Sequence, residues 1–178
     1  ASSSLSDRFR QEAFQFYNHV MAGAEADRPR WKRAVASVEG ALGMAVGRLY
    51  VEKYFPEYSK QRMVELVKNL QVALGQRIDQ QKWMSTETKQ QAHEKLNSFY
   101  VKIGYPDEWM DYSGLDIDEK LSYYENMVRA SQFRSHYYIE RHVNKPTDRN
   151  EWLMTPQTIN AYYNPTTNEI CFPAGILQ

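Results

Sequence analysis

Asn160-Ala161-Tyr162-Tyr163-Asn164-Pro165-Thr166-Thr167-Asn168-Glu169-Ile170-Cys171-Phe172-Pro173-Ala174-Gly175-Ile176-Leu177-Gln178 is the stretch on which the reading of this chain turns. Residues 158–163 alternate as a strand does. Asn164-Pro165-Thr166-Thr167-Asn168 carries turn chemistry, and Glu169-Ile170-Cys171-Phe172 reads as the return strand. A segment this apolar is an unusual terminus, because chain ends are commonly polar and frayed. The expectation is that the sequence is the front part of something larger.

Upstream the pattern is helical from residue 5 to about 143. Leu5, Phe9, Ala13, Phe16 and Val20 form an amphipathic stripe, with Ser4 and Asp7 placed as a capping box and an end near Gly23. Asp27-Arg28-Pro29 opens a second helix lined by Ala34, Val35, Val38, Leu42, Ala45, Val46 and Leu49 and stopped at Phe55-Pro56. Gly40, Gly43 and Gly47 each cost it about 1 kcal/mol relative to Ala, which predicts close packing of a neighbouring helix. Ser59 is the expected cap of a third helix, with Met63, Leu66, Val67, Leu70, Leu74 and Ile78 on its apolar side. A fourth spans about 86–99. Gly104-Tyr105-Pro106-Asp107 is a turn, and Asp116 or Asp118 caps a long helix over about 119–141. The character changes at residues 144–152, so the chain divides into a helical part, 1–147, and a β-hairpin part, 148–178.

The composition is globular. Lys plus Arg equals Asp plus Glu, 22 each, so no basic surface marks nucleic acid or an anionic membrane as a partner. No uninterrupted apolar run reaches about 18 residues, so no membrane span is expected. One cysteine, Cys171, excludes an internal disulfide. Ala1-Ser2-Ser3-Ser4 lacks the basic and apolar regions of a signal peptide and reads as loop.

The chemistry-bearing residues are sparse. Zinc hydrolysis needs three protein ligands and an open position. Residues four beyond His19, His93 and His142 are Gly23, Asn97 and Pro146, so His93-Glu94 starts a His-Glu-x-x-His pattern that Asn97 breaks. His136 and Glu140 share a helix face and read as a surface ion pair. No complete zinc site is expected. Cys171, flanked by Ile170 and Phe172 with no basic neighbour, reads as a small buried hydrophobe, not a nucleophile. Arg28-Pro29-Arg30-Trp31 reads as helix entry, with Trp31 anchoring a core. Asn160 sits where the pattern predicts a strand, which Asn disfavours. Two explanations remain open: it closes the adjacent turn, or its amide, donor and acceptor together, matches a peptide laid along an exposed edge strand.

Asn160-Ala161-Tyr162-Tyr163 followed by Asn168-x-Ile170-x-Phe172-Pro173-Ala174-Gly175-Ile176-Leu177-Gln178 resembles the segment ahead of the catalytic helix in neprilysin-family zinc metalloendopeptidases. Supporting pieces occur in the expected order: Arg28-Pro29-Arg30-Trp31, Leu42-Gly43-x-Ala45-Val46-Gly47-x-Leu49-Tyr50-Val51, Trp83-Met84, Thr88-Lys89, Lys95-Leu96 and Gly104-Tyr105-Pro106. The resemblance implies a mainly α fold, a helical lobe followed by the opening β-hairpin of a thermolysin-like α+β catalytic lobe. It implies a peptidase acting on oligopeptides, with zinc in the complete enzyme and none bound by this chain. Carried over residue by residue, Asn160 binds the substrate main chain through its side chain and Ala161 through its carbonyl. Ile176 walls the pocket for the residue after the scissile bond. No catalytic or metal residue falls within the chain. The implied partners are an oligopeptide substrate and the remaining catalytic segment of the same protein; the compartment stays open, an extracytoplasmic setting (secreted, periplasmic or membrane-anchored) being favoured over a cytoplasmic one. The alternative is a non-catalytic helical module that binds peptides on its terminal hairpin.

Overall fold

The computed structural model describes residues 4–178, so the expected loop at Ala1-Ser2-Ser3 lies outside the described residues. It is mainly helical with one small sheet, the expected class. The elements are α1 (Asp7–Ala13), a π-helical continuation (Phe14–Val20), α2 (Arg30–Tyr54), α3 (Glu57–Gln80), α4 (Thr86–Asn97), β1 (Tyr100–Gly104), α5 (Tyr123–His142), β2 (Tyr162–Asn164), β3 (Glu169–Pro173) and a 3-10 turn (Ala174–Ile176).

The chain forms two compact units that interleave along the sequence. One comprises residues 1–43 and 111–147; the other comprises 44–110 and 148–178. The sequence pattern divides the chain once, after residue 147, whereas the structure also reaches back to 44–110. The physical reason is β1. The pattern read as helix followed by a turn contains a strand that pairs in parallel with β3, Tyr100 opposite Glu169 through Gly104 opposite Pro173. A parallel partner lies far away in sequence, so no local signal announces it.

Helix ends follow capping chemistry. The cap of α5 is Ser122, not Asp116 or Asp118: its hydroxyl accepts the Glu125 N–H while Glu125 returns a bond to the Ser122 N–H, a full capping box. Asp118 serves the preceding loop, its N–H donating to Asn126 Oδ1 at 3.0 Å. Ser85 caps α4, accepting from Thr88 N–H at 3.1 Å. The N-cap of α1 is Ser6 instead of Ser4, and α3 begins at Glu57 behind Pro56, ahead of the expected Ser59. Inside α2, Leu42 leaves helical dihedrals at φ −127° and ψ 29°, beside Gly43, where a weak helix former permits a kink.

In the first unit, Asp27 accepts from Arg10 at 2.6 Å and Arg33 at 3.1 Å, and Arg134 donates to Gly40 O at 2.9 Å. Trp31, expected in a core, is exposed. In the second unit the core is Val51, Phe55 and Ala174, with Tyr50, Tyr105, Trp109 and Leu177 packed around it. The predicted stripe of α3 is covered only in part: Val67 is buried, while Leu66, Leu70 and Leu74 are exposed.

The helix expected against the glycines of α2 is a loop instead. A Cβ on Gly47 would lie 2.6 Å from Pro156 Cδ, whereas one on Gly40 would meet nothing within 4 Å. Contrary to the run-length expectation, α2 is long and apolar enough to cross a membrane by length and composition, its best window having a mean hydropathy of 1.2. The charges that interrupt it, Glu39 and Arg48 among them, break the run without cancelling the average. Gly47→Ala is expected to lower unfolding stability by about 1–3 kcal/mol through overpacking against Pro156, whereas Gly40→Ala raises it or leaves it unchanged; urea denaturation of the two variants checks this.

Candidate functional site

The hairpin that the sequence singled out is positioned by the loop ahead of it. Thr158 N–H donates to Thr155 O at 3.0 Å, and Gly175 N–H donates to Pro156 O at 2.8 Å. A Cβ on Gly175 would lie 2.5 Å from Gln157 O, so only glycine admits this approach. Residues 155–158 are therefore gripped by the 3-10 turn after β3 on one side and by Gly47 of α2 on another. This turn replaces the expected strand start: β2 is only Tyr162–Asn164, and Asn160 and Ala161 lead into it.

The sheet order is β1-β3-β2, with β2 antiparallel to β3 in the register Tyr162 to Cys171, Tyr163 to Ile170 and Asn164 to Glu169. β2 is thus an edge strand, and among the described residues nothing pairs with its outer side. Asn160 is exposed and its side-chain Oδ1 accepts the Ala161 N–H at 2.8 Å. The turn-closing role belongs to others: Asn164 Oδ1 accepts from Thr166 N–H at 3.1 Å. Asn168, at φ 50°, donates to Lys95 O at 2.8 Å and Ser98 Oγ at 2.9 Å. Ala161 is half-buried. Ile176, 43% exposed, follows β3 in the 3-10 turn. All three candidate residues lie at the same end of the hairpin, opposite its turn.

Under β2 lies a polar layer that the sequence did not reveal. Lys102 and Glu169, with side chains 3% exposed each, pair at 2.8 Å. Lys102 Nζ also donates to Glu151 O at 2.5 Å, and the Tyr162 hydroxyl donates to Glu169 Oε1 at 3.0 Å. Burial foremost, then the nearby Cys171 and Glu169, pushes the Tyr162 hydroxyl above its usual range. Cys171 is fully buried as expected, and burial pushes its thiol up to about 12 against an opposing pull from its Tyr162 hydrogen bond and Lys102. Such a thiol is not a nucleophile near neutrality.

The histidines are scattered. His19 Nδ1 bonds Ala24 O at 2.9 Å, His93 Nε2 meets Asp79 at 2.7 Å, and His142 Nδ1 bonds Tyr138 O at 2.8 Å. His136 and Glu140 form the anticipated exposed pair at 3.1 Å. Among the described residues no group of three His, Cys, Asp or Glu side chains converges to hold a metal. These residues do not fit a zinc site.

Residues 1–106 match the family model described as peptidase family M13. The chain is 39% identical to human endothelin-converting enzyme 1 over 184 aligned residues, covering 99% of the chain and 24% of that protein. The structure is similar to a Mycobacterium tuberculosis zinc metalloprotease, Zmp1, in complex with inhibitor (TM-score 0.86, 46% identity, 98% of this chain and 26% of that one). It is also similar to PepO from Lactobacillus rhamnosis (TM-score 0.88, 30% identity, 99% and 28%). The chain therefore spans about a quarter of the length of the curated relatives it matches.

Because the folded-state thiol of Cys171 is raised from 9.0 to about 12, the unfolded chain releases a proton in this interval that the folded chain keeps. Its contribution to stability is fully present below pH 9 and is lost as pH rises toward 12, by about 1.4 kcal/mol per pH unit. Urea midpoints across this range are expected to fall less steeply in Cys171→Ala, and a thiol reagent at pH 8 is expected to label Cys171 only after unfolding.

Proposed function

The chain belongs to peptidase family M13, and from that premise we propose that it is part of a zinc-dependent endopeptidase that hydrolyses peptide bonds in oligopeptides. In this proposal the chain supplies substrate main-chain binding and cavity wall; zinc and the groups that hold it come from the rest of the protein. The observation that carries the reading is the open outer side of β2 with exposed Asn160 at its entrance. An extended peptide can join such an edge as a further strand, held by main-chain hydrogen bonds that disregard side-chain identity.

Asn160 offers a carboxamide that donates and accepts at once, the complement of a peptide group. Its Oδ1 already accepts from the Ala161 N–H, so a substrate amide competes with an exposed local bond, and the net cost of the exchange is small. Ala161 offers its carbonyl, and its small side chain leaves room for the incoming main chain. Ile176, exposed in the turn after β3, walls the apolar pocket for the residue following the scissile bond. Residues 1–147 are assigned to the helical lobe of the complete protein and 148–178 to the start of its catalytic lobe, with 44–110 contributing β1 to the same sheet. An extracytoplasmic setting belongs to the same proposal and rests on family likeness.

In the complete protein, Asn160→Ala is expected to lower kcat/KM by about 5- to 150-fold, or 1–3 kcal/mol, the cost of leaving peptide groups unpaired in the transition state. Zinc content should be unaltered, and chelation should abolish cleavage. An unchanged kcat/KM removes Asn160 from the site. Peptide capture by the complete protein with no zinc-dependent cleavage would replace the enzyme by a peptide-binding module.

A further inference from the structure

β2 has three residues and one pairing neighbour. So short an edge strand is weakly held by its ladder alone and its register is easily lost. A one-residue slip would turn the side chains of the whole strand to the opposite face, and the lead-in residues with them. The side chains of β2 offer two grips. Tyr163, 45% exposed, stacks on Phe99 with centroids 5.8 Å apart. Tyr162 points the other way and reaches a buried charge pair.

Directly paired residues share a face of a sheet. Lys102 in β1 and Tyr162 in β2 are both partners of Cys171 in β3, so the three lie in one row on one face. Glu169 lies two residues before Cys171 on the same face. Lys102 and Tyr162 both lean toward it, and its Oε1 receives the ammonium at 2.8 Å and the hydroxyl at 3.0 Å. The hydrogen bonds therefore run across all three strands, and Lys102 is anchored a second time on Glu151 O.

A buried ion pair contributes little net stability, because desolvation offsets its attraction and apolar residues of like volume often serve as well. What it does supply is a preference for one arrangement: a hydroxyl, an ammonium and a carboxylate are satisfied together only in this register. We propose that Lys102, Glu169 and Tyr162 form a buried tether that sets the register of the substrate-holding edge, making Tyr162 a positioning residue for Asn160 and Ala161. The proposal rests on the peptide-holding reading of those two residues. Tyr162 touches no substrate; it holds the strand whose entrance presents Asn160.

The test uses the complete protein and the conservative variant Tyr162→Phe, which removes one hydroxyl. Amide hydrogen exchange in residues 158–164 is expected to rise by about tenfold or more, since the hydroxyl's bond to Glu169 is lost together with its contacts to Cys171 and the Leu153 backbone, while α3 is unchanged. The variant should lower kcat/KM by a similar factor, and that loss should nearly vanish in an Asn160→Ala background, because both act through one contact. Exchange that stays unchanged, or that rises equally throughout the protein, overturns the tether, as do losses that add in the double variant. A confined rise in exchange together with an Asn160→Ala variant of normal kcat/KM leaves the tether standing as a register device and overturns the peptide-holding reading instead.

Discussion

The parallel pairing of β1 with β3 is the constraint on which the second unit depends. It places Glu169–Pro173 at the centre of the sheet and thereby makes β2 an edge. It also brings the turn after β3 against α2, where Ala174 joins Val51 and Phe55 in the core. Gly47 and Gly175 then leave room for residues 155–158, and this loop delivers Asn160 and Ala161 to the mouth of the hairpin.

Helices and hairpin were legible because their signals are local. The 3.6-residue stripes mark the first three helices, and Asn164-Pro165-Thr166-Thr167-Asn168 marks the turn. Cys171 between two apolar neighbours was correctly read as buried. What failed was non-local or depended on capping detail. β1 was hidden because its partner lies beyond α5. Ser122-x-x-Glu125 outcompeted the two aspartates for the start of α5 because it satisfies amides at both positions. Trp31 reads as a core residue on hydrophobicity alone, yet is exposed here.

The candidate site was legible as a motif more than as geometry. Asn160 and Ala161 lie in a lead-in rather than a strand, so the propensity conflict that draws attention to Asn160 does not arise. Lys102 was missed altogether. Between Val101 and Ile103 it falls in a stretch whose pattern reads as helix followed by a turn, and only the approach of Glu169 and Glu151 reveals that it is enclosed. A buried lysine is visible to sequence reasoning only when its counter-charge is near in the chain, and here it is 67 residues away.

That separation has a consequence for how the polypeptide is made. At roughly 5–20 residues per second of synthesis, β1 leaves the ribosome about 3–13 seconds before β3 exists to receive it. Until then Val101 and Ile103 have no β3 to pair with. Lys102 stands between them. A charge in the middle of a waiting strand makes wrong partners unfavourable, since burying it without a carboxylate is costly. In the folded chain it is Glu169 of β3, 2.8 Å from the ammonium, that offsets this cost.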